Sequence, residues 1–197
     1  MLCFSLFFIA VVSSTLLPPG AIRPSADCSK PKEFPEHTSN AFVKKINDRR
    51  RLMIDGRQKN GLTGRNLPTG ESVAEMEWSC NLEEKAIAAL KEQFGKERLR
   101  DNNTCPVRAP EAPNGTTGFW KCIGCNVEGS ERDPVDVWLS EMDEASITPH
   151  PDPKAYVRCH GKNRNYCNLV RYDASRIGCA QSECNGRKYV FCLTNKP

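Results

Sequence analysis

The chain contains eleven cysteines and three histidines, the residue types that most often carry redox, nucleophilic or metal chemistry. Cys122 and Cys125 have the Cys-x-x-Cys spacing of a redox pair or of a zinc half-site that Cys159, His160 and Cys167 would complete. We expect disulfides instead, because the N-terminal residues indicate secretion and extracellular cysteines are overwhelmingly paired. The residues therefore predict neither a metal site nor a cofactor.

Other catalytic groups are equally sparse. A Gly-x-Ser-x-Gly nucleophile motif is absent from the sequence, and none of the three histidines, His37, His150 and His160, is a persuasive base for a cysteine nucleophile. Glu141 and Glu144 lie one helical turn apart and have the residue types of an acid–base pair. Without a basic partner, we interpret them as a solvated helix face. The sequence predicts that the protein is not an enzyme.

Residues 1–21 have the pattern of a signal peptide. The apolar run from Leu2 to Leu17 ends at Pro18-Pro19-Gly20 and is shorter than the roughly 20 residues that span a bilayer. Removing this segment takes Cys3 with it and leaves ten cysteines, an even number that can be fully paired. We expect a secreted, extracellular protein with no integral membrane association.

The charge of the chain is nearly balanced. Its 28 basic and 24 acidic side chains give a net charge of +4, too small and too evenly spread to predict nucleic-acid binding. The run Arg49-Arg50-Arg51 has two interpretations, a patch for anionic glycan or lipid and a solvated helix face, of which we favour the second. Asn102 and Asn114 begin Asn-x-Thr tripeptides and are predicted glycosylation sites.

Three helices follow from capping and apolar spacing. Asn40 is a predicted cap for a first helix that Gly56 ends, Asn81 with Glu84 resembles a capping box, and Asp133 precedes Pro134 at the start of a third helix. The first helix should bury one face: Phe42, Val43, Ile46, Met53 and Ile54. Residues 100–130 predict a long ordered loop held by disulfides.

The C-terminal third changes to strand periodicity. Short β-rich runs at residues 168–172, 176–181 and 188–193 predict an antiparallel sheet. Asn185-Gly186 is the preferred pair for a type I′ hairpin, and counting outward from it places Cys179 opposite Cys192. We therefore predict a disulfide between Cys179 and Cys192.

Four blocks together resemble the cysteine-rich secretory, antigen 5 and pathogenesis-related (CAP) family, especially the activation-associated secreted proteins of parasitic nematodes. The resemblance covers residues 35–197. Its blocks are Glu-Met-Glu-Trp-Ser-Cys-Asn-Leu-Glu at 75–83, Trp-x-x-Glu at 138–141, the segment 168–179 and the segment 189–195. This resemblance implies an α+β fold, a three-layer α-β-α sandwich with a central antiparallel sheet, disulfide-rich.

The resemblance also implies a central cleft that in some relatives holds a divalent metal with two histidines and two glutamates. Glu141 matches one glutamate, whereas Asn165 stands where the second histidine belongs. No histidine occurs between Trp78 and Met142, where the first should be. Since one ligand of four cannot hold a metal tightly, the cleft is predicted to be degenerate.

With the cleft residues lost, function is expected on the surface loops of a rigid frame. We expect a secreted binding protein with residues 100–130 as the contact region. The resemblance to nematode members, some of which act on host leukocytes or platelets, implies that it engages a host or extracellular protein and modulates immunity or haemostasis. The alternative that the resemblance implies is the binding and transport of a sterol or fatty acid.

Overall fold

The computed structural model describes residues 27–70, 73–100, 104–125, 131–148 and 161–197. The predicted signal peptide and Asn102 lie outside these ranges. The helices are α1 (Glu36–Ile54), α2 (Cys80–Arg100), α3 (Pro134–Glu144) and α4 (Arg164–Val170). The strands are β1 (Glu77–Trp78), β2 (Thr117–Ile123), β3 (Arg176–Cys184) and β4 (Arg187–Thr194). Two single-turn 3₁₀ helices cover Gly61–Thr63 and Gly161–Asn163.

The sheet has the strand order β1-β3-β4-β2. Its three long strands pair antiparallel, as predicted, and β1 adds a two-residue parallel edge beside β3. In the β3–β4 hairpin both turn residues have positive φ, 51° for Asn185 and 73° for Gly186, as a type I′ turn requires. The register places Cys179 opposite Cys192, and a disulfide joins them with 4.0 Å between Cα atoms.

Side chains alternate between two hydrophobic cores on opposite faces of the sheet. On one face, Ile177 and Cys179 of β3 pack with residues of α1, α3 and α4. On the other face, Ala180 and the β4 residues Tyr189 and Phe191 pack with α2. Helices therefore cover both faces, and the expected three-layer α-β-α architecture is confirmed.

Helix α2 lies unusually close to the sheet at Gly178. A Cβ atom at this glycine would lie 2.2 Å from the backbone nitrogen of Glu83 and 2.5 Å from the carbonyl oxygen of Ser79. The start of α2 is therefore in direct backbone contact with β3. Its cap is Ser79, whose hydroxyl accepts from Leu82 N, and Asp27 accepts from both Ser79 Oγ and Cys80 N. The predicted capping box at Asn81 is wrong by two residues.

Two predicted element types are corrected. The segment 100–130 is not a continuous loop, because β2 lies within it and pairs with β4 over seven residues. The run 168–172 is not a strand, because its first three residues belong to α4. Helix α1 begins at Glu36, before the predicted cap Asn40, and Ile54 of its predicted buried face is 37% exposed.

Four disulfides join described residues: Cys28–Cys80, Cys105–Cys184, Cys122–Cys125 and Cys179–Cys192. The two cysteines of the Cys-x-x-Cys motif, Cys122 and Cys125, thus form a disulfide with each other. No helix within the described ranges has the length and apolarity needed to cross a bilayer.

Candidate functional site

Glu141 and Asn165, the predicted remnants of a cleft, are in direct contact. Helix α3 positions Glu141, since Asp133 caps it by accepting from Val135 N at 2.9 Å and its apolar stripe is buried. The Asn165 Nδ2 donates to Glu141 Oε1 at 2.6 Å. Glu141 is half-buried, in contrast with its predicted place on a solvated face, whereas Glu144 is exposed.

Both oxygens of Glu141 accept hydrogen bonds from α4. The backbone N–H of Tyr166, in the first turn of that helix, donates to Oε2 at 2.9 Å. A carboxylate here stabilises a seven-residue helix whose first N–H groups have no intrahelical partner. Burial raises the pKa of Glu141, and the hydrogen bonds from Tyr166 and Asn165 only partly offset that effect. The arrangement attaches α4 to α3.

The donor set does not fit a divalent metal. Glu141 has both oxygens engaged by N–H donors, and the Asn165 amide turns an N–H donor toward it. Elsewhere in the described part of the chain, the one cluster with metal-ligating residue types is Asp27, Cys28 and Cys80. Its two sulfurs form a disulfide and its carboxylate caps α2. Among the residues that the structure describes, neither of these two groups therefore offers free ligand atoms to a divalent metal.

Arg50 is a buried cation that the sequence reasoning missed. Its guanidinium donates to the carbonyl oxygens of Leu169 (2.7 Å), Ala174 (2.7 Å) and Ala74. Burial lowers its pKa to about 10, so it remains charged at neutral pH. The interpretation of the arginine run as a solvated face is wrong for Arg50. The signal was its spacing of four from Ile46, which puts it on the buried face of α1.

Arg49 is also engaged. Its guanidinium forms a bidentate pair with Asp143 at 2.8 and 2.9 Å and lies 6.0 Å from the ring centroid of Tyr166. Of the three arginines in the run, Arg51 is the exposed one. The run does not form a free basic patch.

A second buried carboxylate, Glu83, anchors the segment before α1. Its Oε1 accepts from the backbone N–H groups of Glu33 (2.7 Å) and Phe34 (2.8 Å), and its Oε2 from those of Lys32 (2.9 Å) and the Trp78 indole (3.0 Å). Burial alone would raise the pKa of Glu83, but these donors outweigh it and hold the pKa below its usual value. The residue is ionised and structural.

A groove of about 410 Å³ lies between α2 and the edge of β3. Phe34, Leu90, Phe94 and Ala180 provide apolar lining, and Lys91 also contacts the groove. Sequence reasoning could not place it, because it forms only where the segment before α1 crosses the α2–β3 layer.

Residues 104–116 form an arm next to β2 in which buried residues such as Cys105 alternate with exposed ones. The disulfide from Cys105 to Cys184 pins its beginning to the end of β3. Val107 on this arm is 81% exposed. Asn114, the predicted glycosylation site, lies exposed in a turn where Thr116 N donates to Pro113 O at 3.1 Å. The acceptor amide is accessible to solvent.

Comparison with known proteins decides the family. The model of the cysteine-rich secretory protein family, CAP, matches residues 43–195. The chain belongs to the CAP family. No curated protein matches this CAP protein in sequence.

Solved structures agree with this CAP fold. A crystal structure of NaASP2 with Zn²⁺ superposes with a TM-score of 0.63 at 18% identity, covering 84% of this chain and 83% of NaASP2. Na-ASP-1 superposes with a TM-score of 0.63 at 18% identity, and the match covers 87% of this chain and 39% of Na-ASP-1. BmVAL-1 superposes with a TM-score of 0.57 at 19% identity, and the match covers 86% of this chain and 81% of BmVAL-1. These likenesses to nematode ASP and VAL proteins concern the fold alone.

Proposed function

We propose that this CAP protein is a secreted, non-enzymatic recognition protein that binds a host or extracellular protein and thereby modulates immunity or haemostasis. The observation that carries the proposal is the use of Glu141 and Asn165 to hold α4. Side chains that already form hydrogen bonds within the protein are not available to polarise a substrate or bind an ion. NaASP2 has been determined with Zn²⁺, whereas in this chain Glu141 is hydrogen-bonded to Asn165 and to the backbone of Tyr166.

The contact region we propose is the arm of residues 104–116. A disulfide at Cys105 restrains it, so less conformational entropy is lost when a partner binds. Val107 presents an aliphatic side chain that is 81% exposed on this restrained backbone. A glycan on Asn114 would flank the contact and narrow the set of partners that can approach.

The test uses soluble ectodomains of host leukocyte and platelet receptors, immobilised without lipid. We expect saturable binding of the secreted protein to at least one of them, and at least tenfold weaker binding by Val107→Asp. Leu62→Asp is the matched control, because Leu62 is an equally exposed aliphatic residue elsewhere, at 87%. Absence of binding across the panel, or equal binding by Val107→Asp, would overturn the proposal.

The groove between α2 and β3 supports a second candidate function, carriage of a fatty acid. Its volume of about 410 Å³ lies within the range of small-molecule pockets, and its lining includes Leu90 and Phe94. Lys91 makes no ion pair with any described residue and would be available to a fatty-acid carboxylate. A sterol, which has no carboxylate, would not use this cation.

Two variants separate these ligands in delipidated protein. Gly95→Leu should block the groove without harming the fold, because a Cβ at Gly95 meets no atom within 4 Å and leucine favours helix. Lys91→Met should weaken fatty-acid binding several-fold and leave sterol binding unchanged, with the exposed Lys85→Met on the same helix as control. Binding that survives Gly95→Leu would exclude this groove.

A further inference from the structure

The loop after α1 forms a rigid projection, residues 58–67, which we name the Leu62 knob. Two backbone hydrogen bonds join its two arms: Asn60 N donates to Arg65 O at 2.9 Å, and Leu67 N donates to Gln58 O at 2.7 Å. Asn60 also exchanges two side-chain hydrogen bonds of 2.8 Å with the backbone of Ile147. The knob is thus fixed both internally and against the segment that follows α3.

The tip of the knob presents an apolar side chain to solvent. Leu62 is 87% exposed, the highest value among the large hydrophobic residues of the described ranges. Gly61 beside it has φ +52°, and a Cβ there would lie 2.6 Å from Ser146 N. The backbone is therefore pressed against the end of α3, and the leucine projects from a preorganised turn rather than from a loose loop.

Exposed cations lie on the knob and beside the segment after α3 that it contacts. Lys59 and Arg65 are exposed on the two arms of the knob, and neither forms an ion pair with a residue that the structure describes. Asn163 Nδ2 donates to Ala145 O at 2.9 Å, which places the exposed Lys162 and Arg164 beside the same segment after α3.

Among the described residues at this end of the molecule, acidic side chains are fewer than the cations. Asp143 is neutralised by Arg49. Glu144 is exposed at the end of α3. The described residues around the tip therefore carry a net positive charge.

We propose that the Leu62 knob docks onto the surface of an anionic phospholipid bilayer. A convex tip needs no complementary pocket in a bilayer, whereas a protein partner would have to supply one. Leu62 would enter the acyl boundary while Lys59 and Arg65 face the headgroups. A sulfated glycan would attract the same cations but offers no apolar phase for the leucine. This surface is separate from the arm of residues 104–116, so the inference does not depend on the proposed function.

The experiment measures co-sedimentation of the secreted protein with phosphatidylcholine vesicles that contain or lack phosphatidylserine. We expect binding only with phosphatidylserine, weakened by high salt. Leu62→Ala should reduce the partition coefficient roughly tenfold, and Lys59→Gln or Arg65→Gln about fivefold each. Val107→Ala, at the other highly exposed aliphatic residue, should bind like the wild type.

A second readout reports insertion directly. Leu62→Trp should show a blue shift of tryptophan emission on adding phosphatidylserine vesicles, and Val107→Trp should not. Vesicle binding that is lost in the charge variants but unaffected by Leu62→Ala would show electrostatic adsorption without insertion of the leucine and would overturn the proposal. Absence of binding to both vesicle types would overturn it as well.

Discussion

Two buried carboxylates of this CAP protein accept backbone N–H groups, yet their environments differ. Glu83 is fully buried and receives donors from three consecutive residues, Lys32 to Phe34, and from the Trp78 indole. Glu141 is half-buried and receives the N–H of Tyr166 and the amide of Asn165. The pKa of Glu83 is lowered, whereas that of Glu141 is raised.

The comparison shows that Glu83 requires a negative charge to anchor the segment before α1, whereas Glu141 does not require one to cap α4. Around Glu83, donors outnumber what one neutral side chain can satisfy, so ionisation is needed. Around Glu141, burial opposes ionisation and fewer donors compensate for it. Glu141, which the resemblance matches to a cleft carboxylate, attaches α4 to α3 through Tyr166 and Asn165.

The largest expected effect is that of Glu83→Gln. The substituted amide presents N–H where an oxygen accepted, which leaves at least one buried donor without a partner, and we expect a loss of about 2–4 kcal/mol in the free energy of unfolding. Urea denaturation measures it. The exposed neighbour Glu84→Gln is the control and should change stability by less than about 0.5 kcal/mol. Equal effects at the two positions would remove the distinction drawn for Glu83.

Removing the second carboxylate should cost less. Glu141→Ala deprives α4 of its acceptor at Tyr166 N, for an expected loss of about 1–2 kcal/mol, typical of a lost helix cap. Hydrogen exchange should become faster in α4 than in α2. Uniform loss of protection across both helices would show that Glu141 does more than attach α4.

Glu141→Gln is the most conservative test of the cap. The glutamine oxygen can still accept from Tyr166 N, and the Asn165 amide can rotate to offer its oxygen to the new NH₂ group. We expect a change within about 0.5 kcal/mol of the wild type. A loss comparable to that of Glu83→Gln would mean that charge at Glu141 is required.

The two sites should also respond oppositely to pH. Since the folded pKa of Glu83 lies below its unfolded value, its contribution is present above the ordinary glutamate pKa and is lost as pH falls through the folded pKa. The folded pKa of Glu141 lies above its unfolded value, so stability from this group decreases as pH rises between the two values. We therefore subtract the free energy of unfolding of each Gln variant from that of the wild type across this acidic range. On acidification this value should decrease for Glu83→Gln and increase for Glu141→Gln. The same trend for both would contradict the assignment.

Local chemistry made parts of the fold predictable. Asn185-Gly186 fixed one hairpin register because few pairs adopt two successive positive φ values, and Asp133 before Pro134 marked the start of α3. Elements stabilised by distant partners were missed. Helix α4 has only seven residues and depends on Glu141. Strand β2 forms by pairing with β4, which lies far along the chain. Neither element is therefore determined by its own sequence alone.

Part of the site was predictable from the family resemblance. The block resemblance identified Glu141 and Asn165, but it could not show that they bond to each other. Arg50 was hidden because it lies in a run of three arginines, although its spacing from Ile46 placed it inside. The backbone partners of Glu83, residues 32–34, lie about fifty residues earlier in the chain, and no local pattern reports such a contact.

The central claim, that Glu141 and Asn165 attach α4 to α3 instead of binding a metal ion, is tested most directly by isothermal titration of the secreted, fully oxidised protein with Zn²⁺. A relative with two cleft histidines and two glutamates serves as the positive control, and Glu141→Gln identifies any signal from this site. We predict no saturable binding that depends on Glu141. Stoichiometric binding that Glu141→Gln abolishes would contradict the account.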